Sequence, residues 1–407
     1  MKKSNLWQLS QASMGIVQWI GLAIIVAPLI LSRTNSALLV GQVMLILGLS
    51  GLTAPLLGSI ADKYMLHKPM HLLALICHAS ALLLLLFVST TQWHYWGIAC
   101  LIGLGSNLLL ILNPTLALRL NSSPKSQSNA LKHLFQIQML GVAVTGVTIA
   151  CLDYLQLSVN IQLGTLFAFD LLLIVVTVLY PPKTQVFITE PHELNTNSDR
   201  SHSKVVWFGF VVCVLMSMFV GSNMVEMGPV IIDKGFGVNV SSSAFGMAIA
   251  ALVTLVALTP AGTWMATHGA HSLWFITVIV NLIVGISIWF MFGHNIMALL
   301  PLSLILISII NGAWNDISIA ALADEISPYR PATTQGFMAA AVSLGFSIGT
   351  YIVGVLLDHD KIANVVGFLA LSGLVVAMLA SWVLVKLPKT KTLPIEQQRF
   401  ELKDKQC

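Results

Sequence analysis

The chain alternates between long apolar runs and short polar segments. Each run has about 20 or more residues and few charges, which is the length that a helix needs to cross a hydrocarbon layer of roughly 30 Å. A spanning helix satisfies its backbone hydrogen bonds internally, as a bilayer demands, and no long strand-like alternation competes with this interpretation. We therefore predict an all-α membrane protein with twelve transmembrane helices, at residues 12–33, 37–60, 70–90, 94–118, 133–152, 161–180, 205–232, 243–266, 272–292, 295–323, 332–357 and 363–387.

The composition agrees with this pattern and excludes a soluble domain. Hydrophobic residues make up 57% of the 407 residues and charged residues only 9%, whereas soluble proteins have about 25% charged residues. The net charge of +4 is small and gives no reason to expect a nucleic-acid partner. The lipid bilayer is the expected surrounding of the chain, and we expect a monomer.

The positions of the basic residues predict the orientation. If the N-terminus lies inside, all of the 20 Lys and Arg residues except Arg33, Lys234 and Lys361 fall in cytoplasmic segments. Lys and Arg accumulate on the cytoplasmic side of membrane proteins. We therefore predict a multi-pass protein of the cytoplasmic (inner) membrane with both termini in the cytoplasm.

A polar, proline-containing segment at 183–204 divides the spans into two groups of six. We predict an N-terminal six-helix bundle at 1–182, a cytoplasmic linker at 183–204, a C-terminal six-helix bundle at 205–390 and a cytoplasmic tail at 391–407. Prolines recur between the groups, since Pro28 of the first span corresponds to Pro229 of the seventh and Pro55 of the second to Pro260 of the eighth. Parallel six-helix repeats are known in membrane transporters, so we interpret the halves as pseudo-repeats.

The polar connection between the second and third runs contains a recognisable motif. It reads Gly58-Ser-Ile-Ala-Asp62-Lys63 and continues to Lys68. This spacing resembles the signature loop of the major facilitator superfamily, Gly-x-x-x-Asp-Arg/Lys-x-x-x-x-Arg/Lys. The resemblance extends over about residues 10–390 and implies the major facilitator fold and a secondary transporter that works by alternating access. It also implies a cytoplasmic gating loop formed by Gly58, Asp62, Lys63 and Lys68.

The expected action of this gating loop is a contact between the two halves. Gly58 would permit close helix packing. Asp62 is expected to face the positive N-terminal end of span eleven near Thr333 and Thr334, with Arg330 as a second candidate partner. Such a contact would hold the cytoplasmic side closed and break when that side opens.

Three glycines in span eleven, Gly336, Gly345 and Gly349, are similar to the helix-packing glycine pattern of the antiporter (export) branch. In that branch the pattern usually lies on span five and is followed by a proline, whereas here it lies on span eleven and is followed by Thr350. Members of that branch also often have an Arg in span four, and this chain has none there. The resemblance implies proton-coupled export of a small amphipathic molecule such as a drug, siderophore or metabolite. The departures leave open a proton symporter that imports a small nutrient. A non-transporting membrane receptor or scaffold is the alternative from a different class.

Three acidic residues lie inside predicted spans: Glu226, Asp316 and Asp170. A charge at the centre of a bilayer costs at least about 2.5–3.5 kcal/mol, so such residues mark functional sites by default. We predict that they are the candidate proton-coupling groups, with Glu226 first, although each could instead be a hydrogen-bond anchor between helices. The expected partners are thus a small-molecule substrate and protons.

Polar residues on the spans expected to face the centre complete the predicted substrate cavity. Singly, each is typical of interhelical hydrogen bonds. As a set they predict a cavity lined by Gln18, Asn107, Asn113, Gln136, Ser222, Asn223, Asn311, Trp314, Asn315, Ser343 and Ser347. No nucleophile–base pair, phosphate-binding loop or metal-ligand spacing is present, so we expect no enzymatic activity, no cofactor and no metal.

Overall fold

A computed structural model describes residues 3–121, 123–182, 197–236, 244–294, 297, 299–358 and 361–387. In these ranges every regular element is a helix. Twelve helical segments are long and apolar enough to cross a membrane, which confirms the predicted number. Spans one to twelve are Leu6–Thr34, Leu39–Tyr64, His67–Leu86, Gln92–Arg119, Pro124–Tyr154, Val159–Leu179, Lys204–Glu226, Phe245–His268, Ala270–Met291, Leu299–Ile326, Pro331–Leu357 and Ile362–Lys386.

The first span has an irregular backbone. It runs as a 3₁₀ helix over Lys3–Gln11, as a π-helix over Met14–Val26 and as an α-helix over Ala27–Thr34. A π-helix usually occurs as a single turn inside an α-helix and often at a functional site. Here the π-helix follows directly on the part of span one that presents polar side chains to the neighbouring spans.

The predicted gating loop is mostly helical, which corrects the sequence prediction. Gly58, Asp62 and Lys63 lie on the last helix of span two, Ala54–Tyr64, and Lys68 lies on the first turn of span three. Only two residues separate the helices, because Met65 adopts a left-handed conformation (φ 55°) that ends the first helix.

Span seven also departs from its predicted bounds. Its helix, Asn197–Glu226, begins within the segment predicted as linker, and a second helix, Gly228–Phe236, follows after a break at Met227. The predicted run 205–232 therefore contains two helices. Glu226 is the last residue of the first one.

The packing of the spans has the symmetry expected of two repeats. Span two packs against span eleven, and span five packs against span eight, so each pair joins the two halves. The two pairs correspond to each other, because span two of the first repeat matches span eight of the second and span five matches span eleven. Spans three and six pack together on one outer side, as do spans nine and twelve on the other. Spans one, four, seven and ten are left to surround the centre. Large apolar side chains such as Leu52, Trp93 and Val385 are exposed on the outside, where lipid is the expected neighbour.

Candidate functional site

A cavity of about 160 Å³ lies at the centre, between the two halves. Its wall combines apolar and aromatic side chains such as Trp19, Phe135 and Phe346 with a set of amides, hydroxyls and two carboxyls. An apolar lining with a few placed polar groups is the usual composition of a small-molecule site. Of the predicted cavity residues, the wall contains Gln18, Asn107, Ser222, Asn311, Asn315 and Ser343.

Two of the three predicted acidic residues face this cavity. Glu226 and Asp316 both belong to its wall, on spans seven and ten of the C-terminal half. The side chain of Glu226 is exposed and that of Asp316 is half-buried. Ser222 lies one turn before Glu226 and also lines the cavity, since residues four apart share one face of a helix.

The third acidic residue, Asp170, is completely buried within the N-terminal half and is not part of the cavity wall. Its Oδ1 atom accepts a hydrogen bond of 2.5 Å from the hydroxyl of Ser13 on span one. The structure therefore does not bring Asp170 together with Glu226 and Asp316.

The amides of span ten are held by span nine. Asn311 donates to the side-chain oxygen of Asn281 at 2.9 Å, and Thr277 donates its hydroxyl to Asn315 at 3.2 Å. Asn281 itself lines the cavity and was missed in the sequence. The sequence feature that could have identified Asn281 is its position as an isolated amide in the apolar run 275–288.

Polar contacts at the cavity wall also join the halves. Ser343 of span eleven donates to the side-chain oxygen of Asn107 at 3.1 Å, and the amide of Asn107 donates to Ser50 of span two at 2.9 Å. These bonds connect spans two, four and eleven directly beside the cavity. Movement of the halves would have to break or exchange them.

Five predicted cavity residues lie outside the wall, and two of them belong to the first half. Asn113 turns toward span one, where its amide donates to Gln11 at 2.7 Å. Gln136 points across to span eight and donates to the backbone oxygen of Leu255 at 3.2 Å. Its neighbour Gln138, half a turn along span five, lines the cavity instead and accepts from Gln11 at 2.7 Å.

The other three belong to the second half. The amide of Asn223 bonds back to the preceding turn of its own helix. The indole of Trp314 donates to the backbone oxygen of Ala257 on span eight at 2.9 Å. Ser347 packs so closely against span two that a methyl group on Gly48 would overlap its hydroxyl.

At the predicted cytoplasmic end, Asp62 caps the helix of span eleven. Its carboxylate accepts from the backbone amides of Ala332 (3.2 Å) and Thr333 (2.8 Å) and from the hydroxyl of Thr333 (2.8 Å). His67 adds a further contact, with Nε2 3.5 Å from Oδ1 of Asp62. The structure thus contains the contact expected between Asp62 and Thr333. We name Asp62 together with its partners Ala332, Thr333 and His67 the Asp62 latch.

The remaining expected partners of Asp62 have other contacts. Thr334 donates its hydroxyl to Ser327, in the turn before span eleven, at 2.6 Å. Arg330 is exposed, and no ion pair with Asp62 is found within the described residues. Lys63 and Lys68 are likewise exposed, with the amine of Lys63 5.2 Å above the ring of Tyr64.

The glycines of the two motifs lie where helices approach most closely. A methyl group on Gly58 would overlap the backbone oxygen of Ala332, and one on Gly336 would lie 2.6 Å from the backbone oxygen of Ala54. Both positions therefore bring spans two and eleven into close contact across the halves. Gly345 and Gly349 instead face span seven within the C-terminal half, where a methyl group would overlap the backbone of Leu215 in the first case.

Twelve spans, the two symmetric pairs of spans between the halves and the central cavity define the major facilitator fold. Residues 206–405 match the family model described as Major Facilitator Superfamily. The chain is similar in structure to the human organic anion transporter MFSD10 (TETRAN), with a TM-score of 0.70, 12% identity and coverage of 93% of this chain and 97% of that one. It is also similar to the nucleoside transporter NupG, with a TM-score of 0.61, 14% identity and coverage of 94% and 99%.

No curated protein matches the sequence. The family match lies in the C-terminal half, and the two structural neighbours show that the whole described chain has the fold of the major facilitator superfamily.

Proposed function

We propose that the protein is a secondary active transporter that exports a small amphipathic molecule in exchange for protons by alternating access. The observation that carries this proposal is the central cavity, into which two carboxyl groups of the C-terminal half project between apolar and aromatic walls. A carboxyl group at such a position can hold either a proton or a hydrogen-bonded substrate. Exchange of one for the other at the same site links the two movements.

The charge of the cavity wall restricts the chemical class of substrate that can bind there. Among the described residues that line the cavity, Glu226 and Asp316 are acidic and none is Lys, Arg or His. An anionic substrate would meet uncompensated negative charge in a site of low dielectric. We therefore propose a neutral or positively charged substrate, with Trp19 available to cover an apolar or cationic part.

Alternating access is supported by the contacts between the halves. The Asp62 latch, the ion pair between Arg119 and Asp324 (2.9 Å) and the bond from Ser128 to the backbone oxygen of Gly262 (2.6 Å) all lie toward the predicted cytoplasmic ends of their spans. A state with these contacts intact keeps the cavity closed to the cytoplasm. We propose that their release forms the cytoplasm-facing state.

The experiment is transport by the purified protein in proteoliposomes. Counterflow against a chemical library identifies a substrate, and a pH gradient of either sign is then imposed. Uptake into inside-out vesicles driven by an acidic interior is the result expected of proton antiport. Accumulation in right-side-out vesicles from an acidic exterior would establish symport instead and overturn the proposed direction.

Glu226→Gln tests the coupling residue. The amide mimics the protonated acid and cannot release a proton, so we expect loss of pH-driven transport with normal folding and membrane insertion. Glu325→Gln, a change of the same kind at an exposed carboxyl outside the cavity wall, is the matched control and should keep transport. If Glu226→Gln still moves substrate uphill at the wild-type rate, the role assigned to Glu226 is wrong.

A further inference from the structure

A chain of four polar side chains runs from the central cavity into the interior of the N-terminal half. It begins at Ser106 of span four, which lines the cavity, and its hydroxyl lies 3.1 Å from Nε2 of His78 on span three. Nδ1 of His78 lies 2.7 Å from the hydroxyl oxygen of Ser13, and Ser13 donates to Asp170. Four different spans thus contribute one group each.

The protonation state of Asp170 sets the direction of this chain. When Asp170 is a carboxylate, Ser13 gives it its one hydroxyl proton, so the Ser13 oxygen accepts from Nδ1–H of His78. In that tautomer Nε2 of His78 is an acceptor for the hydroxyl of Ser106, and every donor points from the cavity toward the carboxylate. When Asp170 carries the proton, the directions reverse, and His78 has a ring N–H for the side of span four, where it contacts Ser106 and the backbone of Ile102.

The surroundings of the chain are closed and specific. Asp170, His78 and Ser13 have no exposed surface, and Ser106 is 5% exposed. The ring of His78 lies directly against span four because residue 105 is glycine, where a methyl group would overlap the ring. The second oxygen of Asp170, Oδ2, has no hydrogen-bond partner within the described residues. A buried carboxylate with an unsatisfied oxygen is costly unless it takes up a proton.

We propose that Asp170 is a proton-binding site of the N-terminal half, connected to the central cavity by Ser13, His78 and Ser106. The use of this proton site in transport rests on the proposed function, that is, on proton coupling. The site itself follows from the geometry of the four side chains. It adds a proton position that is separate from the carboxyls of the cavity wall.

The transfer is balanced and leaves the heavy atoms in place. A proton from the cavity replaces that of Ser106 as Ser106 protonates Nε2 of His78, whose Nδ1 proton passes to Ser13, and the hydroxyl proton of Ser13 passes to Oδ1 of Asp170. One proton has entered and one has been bound. Afterwards Asp170 donates to Ser13, Ser13 to Nδ1, and Nε2–H to Ser106, so that the same four atoms remain within hydrogen-bond distance in both states.

Other titratable groups around the chain lie in separate positions. His71 is two turns from His78 on span three and bonds to Ser10 at 2.8 Å, and Cys77 is buried beside His78. The Lys, Arg, His, Tyr and Asp residues of spans four and five are located toward the ends of those helices. Asp170 is the acidic group to which the chain leads.

Infrared spectroscopy of the full-length protein in lipid vesicles tests this site without a known substrate. After a rapid fall in pH, the carbonyl band of protonated carboxylic acids should rise, and Asp170→Asn should remove one component of it. Asp170→Glu should restore a component, which separates loss of the acid from loss of the fold. Since a positioned proton-transfer group typically contributes 10²–10⁴-fold to a rate, Ser106→Ala should slow the rise of the Asp170 component by about 100-fold.

Ser381→Ala is the control, because its hydroxyl donates to the backbone oxygen of Ala377 in its own helix, in the C-terminal half, and the change should leave the band and its rate unchanged. An unchanged spectrum in folded Asp170→Asn would overturn the proton site but leave the proposed exchange at Glu226 standing. A normal rate in Ser106→Ala would overturn the route. Conversely, a titrating Asp170 in a protein whose transport ignores the pH gradient would support this site and refute the proposed function.

Discussion

Replacing Asp62 with Asn tests whether the Asp62 latch holds the predicted cytoplasmic side closed. In the wild type, one carboxylate accepts three hydrogen bonds at 2.8–3.2 Å from the first turn of span eleven. Asn keeps one acceptor oxygen and replaces the other with an amide NH2 group, itself a donor, that faces backbone or hydroxyl donors. One donor of span eleven therefore loses its partner, and the negative charge at the helix N-terminus is lost as well.

The size of the effect follows from these losses. A hydrogen bond to a charged group contributes about 1.5–3 kcal/mol, and a charge at a helix terminus contributes about 0.3–1 kcal/mol. The closed state should therefore lose about 2–4 kcal/mol relative to a state in which Asp62 faces water. At a factor of ten for each 1.4 kcal/mol, the ratio of open to closed molecules rises by about 30- to 700-fold.

Cysteine alkylation measures this ratio directly. In a variant whose five native cysteines are replaced, Ala339→Cys places one thiol in the cavity wall just beyond the latch, at a position that is 3% exposed. A membrane-impermeant maleimide added from the predicted cytoplasmic side reaches this thiol only in the open state. The alkylation rate should rise by about the same 30- to 700-fold in Asp62→Asn.

The matched control is Asp153→Asn, an exposed carboxylate at the other end of the bundle, which should leave the rate unchanged. Thr333→Val removes only the hydroxyl donor, whose bond to the carboxylate is worth about 1.5–3 kcal/mol, and should raise the rate by about 10- to 150-fold. A rate in Asp62→Asn equal to that of the parent would refute the latch.

Further changes give smaller or differently placed effects. Gly336→Ala should raise the same alkylation rate by about 5- to 150-fold, because overpacking against span two costs about 1–3 kcal/mol, whereas Gly354→Ala, which meets open space, should not change it. Arg119→Ala should raise it by less than about fivefold, since the guanidinium that pairs with Asp324 is 41% exposed and such pairs contribute about 0–1 kcal/mol. Trp314→Phe should lower thermal stability by the equivalent of about 1 kcal/mol, because the hydrogen bond to span eight is lost. It should leave the affinity for the transported substrate unchanged, because Trp314 lies outside the cavity wall. A loss of affinity would show that the wall extends to span eight.

The sequence by itself determined the number of spans, the fold and the two halves. These properties depend on local quantities, namely the length of each apolar run and the composition of the segment between them. The contact of Asp62 with the start of span eleven was also predictable, but only through the resemblance of the motif, since the two are 271 residues apart. The helical state of the motif was not predicted, because its charged residues suggested a loop while Met65 closed the turn in two residues.

The tertiary structure alone decided which polar side chains meet. Gln136 and Gln138 are two residues apart and equally polar, yet the rotation of span five sends one to span eight and the other to the cavity. Asp170 is flanked by Leu and Phe in its own span. The groups to which it is linked, Ser13, His78 and Ser106, come from three other spans. The physical reason is that a helix shows its period in the sequence but not its rotation about its axis, which is set by the packing of every neighbouring helix.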